Sequence, residues 1–339
     1  MAHVLDSAKD CKLLYHGTTQ NQGALMVLRS KLSAIAKRLS IPDTRRENML
    51  LVAAELVSNN IKHAAGKGLI QVWLQPGPVL DIFSLDYGPG IPDLAKAEEE
   101  GYSSQNTLGK GLGSIRRLSD ESHFYTQPQG TTRKWAGTAF LSRFRLGEAY
   151  PNVGLFSRSL SDVRYNGDRI YLCEMHERLR WFHLDGLGHG IEAQAATSDL
   201  ASCLSHFEDL DEALASADAQ LESRRGAVAI FGEIEMKKRD VKLLGVGDMH
   251  AHLYQDEQLR NIAFAPGILG REHRSPSLFE APISRKSVIV TATDGIRRNL
   301  DTSNFVGLFS QHPQLIAYVL GNIMGRISDD QSLFVTTVR

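Results

Sequence analysis

The chain has 339 residues, of which 42% are hydrophobic and 23% charged, with a formal net charge of -1. That balance excludes a disordered chain, a fibrous repeat and a coiled-coil rod, and the length suits two domains at ~100–200 residues each. It also gives no net field to draw the chain to nucleic acid or a membrane surface. No apolar run approaches the ~18 residues of a bilayer span, and the N-terminus lacks a basic-then-apolar leader. A cytoplasmic protein is expected. Cys11, Cys173 and Cys203 form no CxxC pair and should stay reduced.

In chain order, residues 22–39 set Leu25, Val27, Leu28, Leu32, Ile35, Ala36 and Leu39 at helical spacing ahead of Pro42. Thr44 and Glu47 have capping-box spacing for a second helix. Its buried face would be Met49, Val52, Ala53, Leu56 and Val57, and Gly66-Lys67-Gly68 would end it. Segments 70–75 and 80–86 read as strands around a Pro-Gly-Pro turn. Residues 92–100 read as helix, 101–113 as a Gly, Ser and Asn-rich loop, 114–120 as helix and 131–145 as strand. Pro151 and the loss of periodicity around 147–154 mark a boundary, giving domains 1–147 and 148–339. Strands are expected at 169–173, 178–184, 227–235, 240–247, 250–254 and 287–293, and helices at 190–205, 209–219 and 313–326. Residues 1–147 carry 18 Lys and Arg against 13 Asp and Glu, and the remainder 20 against 26. An acidic second half suits either a carboxylate-rich metal site or ordinary surface variation.

Glu55 and Asn59 lie one turn apart on one stripe of the second helix. There a carboxylate can accept a proton and an amide oxygen can bind a hard cation, although the pair equally suits a solvated surface. Asn60 falls nearer the buried face, as a core amide. Asp86 ends a strand in Asp86-Tyr87-Gly88-Pro89-Gly90. A buried carboxylate needs a donor such as an adenine amino group, and Gly88 and Gly90 let backbone approach a flat base; the same residues also make a tight turn. Gly109-Lys110-Gly111-Leu112-Gly113 runs into a helix and offers backbone N–H groups to an anion, without the spacing of a Walker A loop. Gly130-Thr131-Thr132 opens a strand, and Thr131 could add a hydroxyl.

The ordered series ELVSNNIKHA, LDYGPGIP, GKGLG and GTT resembles the GHKL (Bergerat-fold) ATPases, in particular the RsbT- and RsbW-type serine kinases of bacterial partner switching, over about residues 20–145. The resemblance implies an α/β sandwich with ATP between helices and sheet. It implies Asn59 on magnesium, Asp86 on adenine, segment 101–113 as the ATP lid and Glu55 as general base for a protein serine hydroxyl. Such chemistry depends on positioning and on neutralising phosphate charge.

The second half carries aspartates at strand ends: Asp168 after Asn166-Gly167, Asp185 in Asp185-Gly186-Leu187-Gly188-His189-Gly190, Asp294 in Thr293-Asp294-Gly295, and Asp329-Asp330 before Gln331. One Asp-Gly is usually a turn; four such ends point to one metal centre. Oxygen-only ligands suit Mg²⁺ or Mn²⁺ rather than zinc. Two such ions ~4 Å apart lower the pKa of a shared water for in-line displacement at phosphorus. Asp185 would bridge them, with the Gly186 carbonyl beside it. His176, His183 and His189 fit no common zinc spacing and read as solvated or core histidines.

The series DGLGHG, RRGAVAIFGEI, LLGVGD, TDGI and DDQSL resembles the PPM-type (protein phosphatase 2C-like) serine/threonine phosphatases of the SpoIIE and RsbX branch, over about residues 152–339. This implies an α-β-β-α sandwich with metal ligation by Asp185, Gly186, Asp294 and Asp329, with Asp330 as the alternative to its neighbour. Asp168 matches the first acidic motif, although Arg169 follows where a small residue is usual. Arg164 is a candidate for the phosphate, or else a solvated arginine. The expected protein is therefore an α+β, two-domain switch enzyme. One half phosphorylates and the other dephosphorylates a STAS-domain protein, using ATP and Mg²⁺ or Mn²⁺. The alternative is a phosphatase whose first half only senses nucleotide or docks a partner, including a sigma factor as an anti-sigma module does. Helix 22–39 could carry a homodimer contact or pack on its own domain.

Overall fold

The computed structural model describes residues 4–92, 108–130, 135–147, 152–160, 165–175 and 177–338, with backbone alone for 108–112. The chain runs β1 (Val4–Asp6), α1 (Ser7–Asp10), β2 (Lys12–Thr18), α2 (Gln22–Arg38), α3 (Asp43–Ala64), β3 (Gly68–Gln75), β4 (Val79–Asp86), α4 (Leu108–Leu118), β5 (Glu121–Gln127) and β6 (Gly137–Arg145). It continues β7 (Val153–Arg158), β8 (Asp168–Met175), β9 (Arg178–Gly186), α5 (Ile191–Thr197), α6 (Ser202–Ser205) and α7 (Leu210–Leu221). Then come β10 (Ala227–Glu235), β11 (Asp240–Val246), β12 (His250–Gln255), β13 (Gln258–Ile262), β14 (Phe279–Pro282), β15 (Val288–Ala292), α8 (Pro313–Met324) and β16 (Gln331–Thr337).

Two compact units result, and they are not consecutive in sequence. One is Leu13–Tyr150 with Asp301–Leu315; the other is Met1–Lys12, Pro151–Leu300 and Ile316–Arg339. A single boundary at 147/148 therefore misplaces two segments. β1 leaves the first half because it extends the sheet edge at β8, pairing Val4 with Cys173 and Asp6 with Tyr171.

The first unit is a five-stranded sheet, β2-β3-β4-β6-β5, with helices on one face. Met49, Val52, Ala53, Leu56 and Val57 form the buried stripe of α3, packed on Leu28, Leu32, Ile70, Ile82 and Phe144. The capping box does not form. The helix starts at Asp43 behind Pro42, with no side-chain cap, so Thr44 is already helical. α4 begins at Leu108, which puts Gly109–Gly113 inside a helix rather than in a loop ahead of it. Three glycines cost a helix about 1 kcal/mol each; burial of Ile115 in the core opposes that cost. β6 starts at Gly137, later than the expected 131.

On the sheet face away from the helices, Asp81 and Arg143 stand opposite in register. Arg143 Nε and Nη2 donate to Asp81 Oδ1 and Oδ2, both at 2.8 Å, and both residues are buried. Removing one partner takes both of these hydrogen bonds from the other, which stays buried. Asp81→Ala should cost about 3–5 kcal/mol, read as a lower urea midpoint, and the joint apolar change Asp81→Leu with Arg143→Met should recover most of it.

The second unit packs sheet β1-β8-β9-β10-β11-β14 against sheet β13-β12-β15-β16-β7. Strand alternation sorts β9: Phe182 and Leu184 meet α6 and α7 through Leu204, Leu210, Leu214 and Leu221. Trp181 and His183 point to the other sheet. There Trp181 stacks on Phe334 at 4.9 Å. His183 bonds Thr291 Oγ1 of β15 at 2.9 Å and Ser332 Oγ of β16 at 2.7 Å. It is a core histidine, its pKa pulled down to about 3 chiefly by burial. α8 covers the second sheet, with Gly321 against the ring of Phe156. The architecture is α-β-β-α. Residues expected as one helix over 190–205 form α5 and α6, broken where Asp199 takes φ 58°. All three cysteines are free and buried. Among the described residues no helix is long and apolar enough to cross a membrane.

Candidate functional site

Antiparallel pairing gathers the aspartates. It sets Asp168, the first residue of β8, opposite Asp185 near the end of β9. Asp185 continues the inward row of Trp181 and His183. β15 and β16 pair with Ala292 opposite Leu333, so Asp294, just past β15, and Asp329, just before β16, share one end of that sheet. Thr293 Oγ1 donates to Asp168 Oδ2 at 2.8 Å, closing the gap between the sheets.

The carboxylates act on one another. Burial, then Asp330 and Asp329, push Asp168 up to about 8, against the hydrogen bonds from Thr293 and Ser332. Burial also raises Asp185 well above the usual carboxylate range, followed by Asp168, Asp294, Asp329 and Asp248. Asp294 is raised by burial and by Asp329 and Asp248, while Arg326 and Arg298 oppose the shift. Like charges set opposite in a sheet are destabilising, and an oxygen-only cluster short of positive charge has the chemistry of a hard divalent cation site. Gly186 follows Asp185, its N–H donating to Gly167 O at 3.3 Å. Asp248, on the β11–β12 turn, was not singled out from sequence. Its signal was the Gly-Asp that ends LLGVGD.

The neighbours Asp329 and Asp330 have different surroundings. Buried Asp330 accepts from Leu160 N and Gly167 N, both at 2.7 Å, so its two oxygens clamp two loops. Asp329 is half-buried and its charge is felt at Asp168, Asp185 and Asp294. A Cβ at Gly295 would lie 1.8 Å from Asp330 O, so only glycine lets the Asp294 turn pass this backbone. Arg169, unexpected beside Asp168, is buried with Nε 3.6 Å from Asp6 Oδ1 of β1. Arg164 and His176 lie outside the described residues.

In the first unit, Asp86 closes β4 and is buried, which raises its pKa. Its Oδ1 accepts from Gly88 N at 2.8 Å and Thr138 N at 3.2 Å. Gly137, at φ 150°, would bring a Cβ 2.1 Å from Asp86 O. Thr138 thus stands at Asp86 through its backbone N–H, and its signal in the sequence is Gly137-Thr138 opening an alternating strand. Thr131 and residues 93–107 lie outside the described residues; Gly109, Lys110, Gly111 and Gly113 lie on the backbone of α4. Past Gly90, Ile91 N donates to Thr126 Oγ1 at 2.8 Å. Asn60 is a satisfied core amide, Nδ2 reaching Thr19 Oγ1 at 3.2 Å and Ser84 Oγ at 3.0 Å. It fixes α3 across β4 two residues from Asp86, with Glu55 and Asn59 half-buried on the same helix.

Glu121, His123 and His312 also bring ligand atoms within 4.8 Å of one another, a tighter group than the aspartates make. They do not form a metal centre. Gln314 N donates to His312 Nδ1 at 3.2 Å, which leaves the proton on Nε2, facing Glu121. A ligating imidazole instead donates through its second nitrogen. Arg145 already holds Glu121 Oε1.

A two-sheet sandwich with aspartates at one edge is the architecture of a PP2C-type phosphatase, and a helix-on-sheet unit with a buried aspartate closing a central strand is that of a GHKL-type ATPase. Residues 18–133 match the family described as histidine kinase-like ATPase domain, and residues 176–339 match stage II sporulation protein E (SpoIIE). Over 90 residues, 26% of this chain, the sequence is 39% identical to the serine/threonine-protein kinase RsbT of Bacillus subtilis (strain 168), covering 67% of that protein. A chain solved in work on the bacterial stressosome shares the fold, at TM-score 0.50 and 21% identity, over 54% of this chain and 97% of that one. RsbX in complex with magnesium aligns over 57% of this chain and 98% of its own, at TM-score 0.49 and 17% identity. Through its first part the chain belongs with the RsbT-type histidine kinase-like ATPases, and its second part carries a SpoIIE-type domain over residues 176–339. PP2C phosphatases are metal-dependent, and GHKL domains bind ATP.

The two adjacent aspartates can be separated by stability. Asp330→Ala leaves two backbone N–H groups unpaired, at about 1–3 kcal/mol each, and should lower Tm in EDTA. Asp329→Ala removes a charge that raises its neighbours, at the loss of one acceptor, for Asp330 N at 2.9 Å, and should lower that Tm less than Asp330→Ala does.

Proposed function

We propose that the chain is a bifunctional partner-switching regulator that phosphorylates and dephosphorylates serine or threonine on a STAS-domain protein. One observation carries the reading. A single chain holds an RsbT-like stretch with Glu55 and Asn59 on one face of α3, and an aspartate array at the edge of a PP2C-type sandwich.

In the first unit, Asp86 would accept from the adenine amino group, with Gly88 and Gly90 lining the base. Burial raises Asp86, so a further donor would favour its ionised form. Asn59 would hold magnesium, with Gly109, Lys110, Gly111, Gly113 and Thr131 toward the phosphates. Glu55 would take the proton from the substrate hydroxyl as its oxygen attacks the γ-phosphorus and ADP leaves.

In the second unit, Asp168, Asp185, Gly186, Asp294 and Asp329 would hold the cations. Mg²⁺ or Mn²⁺ bound there would supply a water of lowered pKa. Asp330, with both oxygens on backbone N–H groups, supports Asp329 as the ligand of the pair. Both activities on one substrate would only hydrolyse ATP, so they should be reciprocally controlled.

The test is transfer of labelled phosphate from ATP and Mg²⁺ to a STAS-domain protein. Label should accumulate with Asp185→Ala and not with wild type. Adding Glu55→Ala to that background should slow labelling by about 10²–10⁴-fold. Asp86→Asn should weaken ATP binding by about tenfold or more by calorimetry. If no variant labels any STAS-domain protein while wild type strips a phosphorylated one, the first unit is a nucleotide-sensing or docking module.

A further inference from the structure

Asp86 is held by its carbonyl as well as by its carboxylate. Trp135 Nε1 donates to Asp86 O at 3.0 Å. Trp135 is held in turn by Gln127, whose Nε2 donates to Trp135 O at 2.8 Å. Tyr125 stacks on Trp135 with ring centroids 5.9 Å apart, and its hydroxyl donates to Gln127 Oε1 at 2.6 Å. All three side chains are buried.

The chain leaving β5 also meets the glycine turn that follows Asp86. Gly90 takes φ 71°, and a Cβ there would lie 2.3 Å from Gln127 O. Gln129 N donates to Pro89 O at 2.9 Å. The turn is therefore fastened at Asp86 by Trp135, and at Pro89 and Gly90 by residues 127–129.

The Gln127 amide has two N–H donors. Trp135 O takes one, and Asn304 O takes the other at 2.5 Å. Asn304 is buried and ends the short turn Thr302–Asn304. Exposed Asp301 shapes that turn: its Oδ1 accepts from Ser303 N at 2.9 Å, and its Oδ2 from Asn304 Nδ2 at 3.3 Å. Further along the same segment, the His312 ring stacks on His123 of β5 at 4.4 Å. Segment 301–315 belongs to the first unit by its contacts, yet in sequence it stands between Asp294 and Asp329. Both it and Trp135 lie outside residues 18–133, which match the ATPase family.

A carboxylate that reads a base acts through direction, because a hydrogen bond weakens steeply once it is bent. A buried network of this kind holds only while every member has its partner.

We propose that Trp135 and Gln127 are positioning residues for the base of the nucleotide, and that segment 301–315 is a working part of that site, tied to it through Asn304 O. The proposal rests on the reading of Asp86 as the acceptor for adenine. Recognition of adenine then depends on a stretch of chain that lies between two aspartates of the phosphatase half.

The experiment measures, by calorimetry on the full chain with Mg²⁺, the affinities for ATP and for purine riboside triphosphate, which lacks only the exocyclic amino group. Wild type should prefer ATP by about tenfold or more. Trp135→Phe removes the donor to Asp86 O and keeps a ring, and Gln127→Leu removes both donors to the carbonyls. Each should cut the preference to about threefold or less, with the affinity for purine riboside triphosphate unchanged. Asp301→Ala frees the turn that presents Asn304 O and should cut the preference by about twofold or more. A preference kept by Trp135→Phe or Gln127→Leu, or equal weakening of both nucleotides, overturns the positioning role. A preference kept by Asp301→Ala overturns the part given to the segment. A wild type that binds the two nucleotides alike overturns the adenine reading of Asp86 itself.

Discussion

Repulsion between carboxylates is the constraint around which the second unit is built. Asp168 and Asp185 face each other across neighbouring strands, and Asp294 and Asp329 approach from the second sheet. Left to themselves these groups would separate or take up protons. The scaffold holds them by means that do not involve the cluster: the ladder between β8 and β9, the Trp181–Phe334 stack, and the His183 bonds between sheets. The core histidine and the site are thus parts of one device, since His183 sits two residues before Asp185 on the same inward row. A positive charge at the edge of the sandwich relieves what the fold enforces.

Much of this is legible in sequence because it depends on local period. The α3 stripe follows from Met49, Val52, Leu56 and Val57, and an aspartate at a strand end is visible wherever the strand is. What is not legible depends on distant backbone. Asp329 and Asp330 are identical neighbours; Asp329 accepts from the adjacent Asp330 N, while the N–H groups of Leu160 and Gly167, 170 and 163 residues from Asp330, point at the second of them. Thr138 reaches Asp86 because β6 opens at Gly137, which the pairing with β5 decides. β1 has three residues, too few for an alternation to show. Its purpose becomes visible only when Asp6 is seen beside the buried guanidinium of Arg169. The glycines at 109, 111 and 113 read as loop because propensity is local, whereas the burial of Ile115 that favours helix is not.

The two units meet the problem of a buried aspartate in different ways. Asp86 is alone, and backbone N–H groups of Gly88 and Thr138 converge on one of its oxygens. That arrangement suits a site whose remaining partner is neutral and flat. The aspartates of the second unit have few donors and many like charges, which suits a cation. One residue type is thereby set in two opposite electrostatic environments.

The chain passes between the units four times, after Lys12, Tyr150, Leu300 and Leu315. During synthesis β1 emerges early and waits for β8, made some 160 residues later. The first unit is complete only once 301–315 has left the ribosome, by which point almost all of the sandwich has been made. A product ending just after residue 315 therefore contains the whole first unit, but the second then lacks β16, which lies between β15 and β7, and Asp329, so the sandwich is closed last.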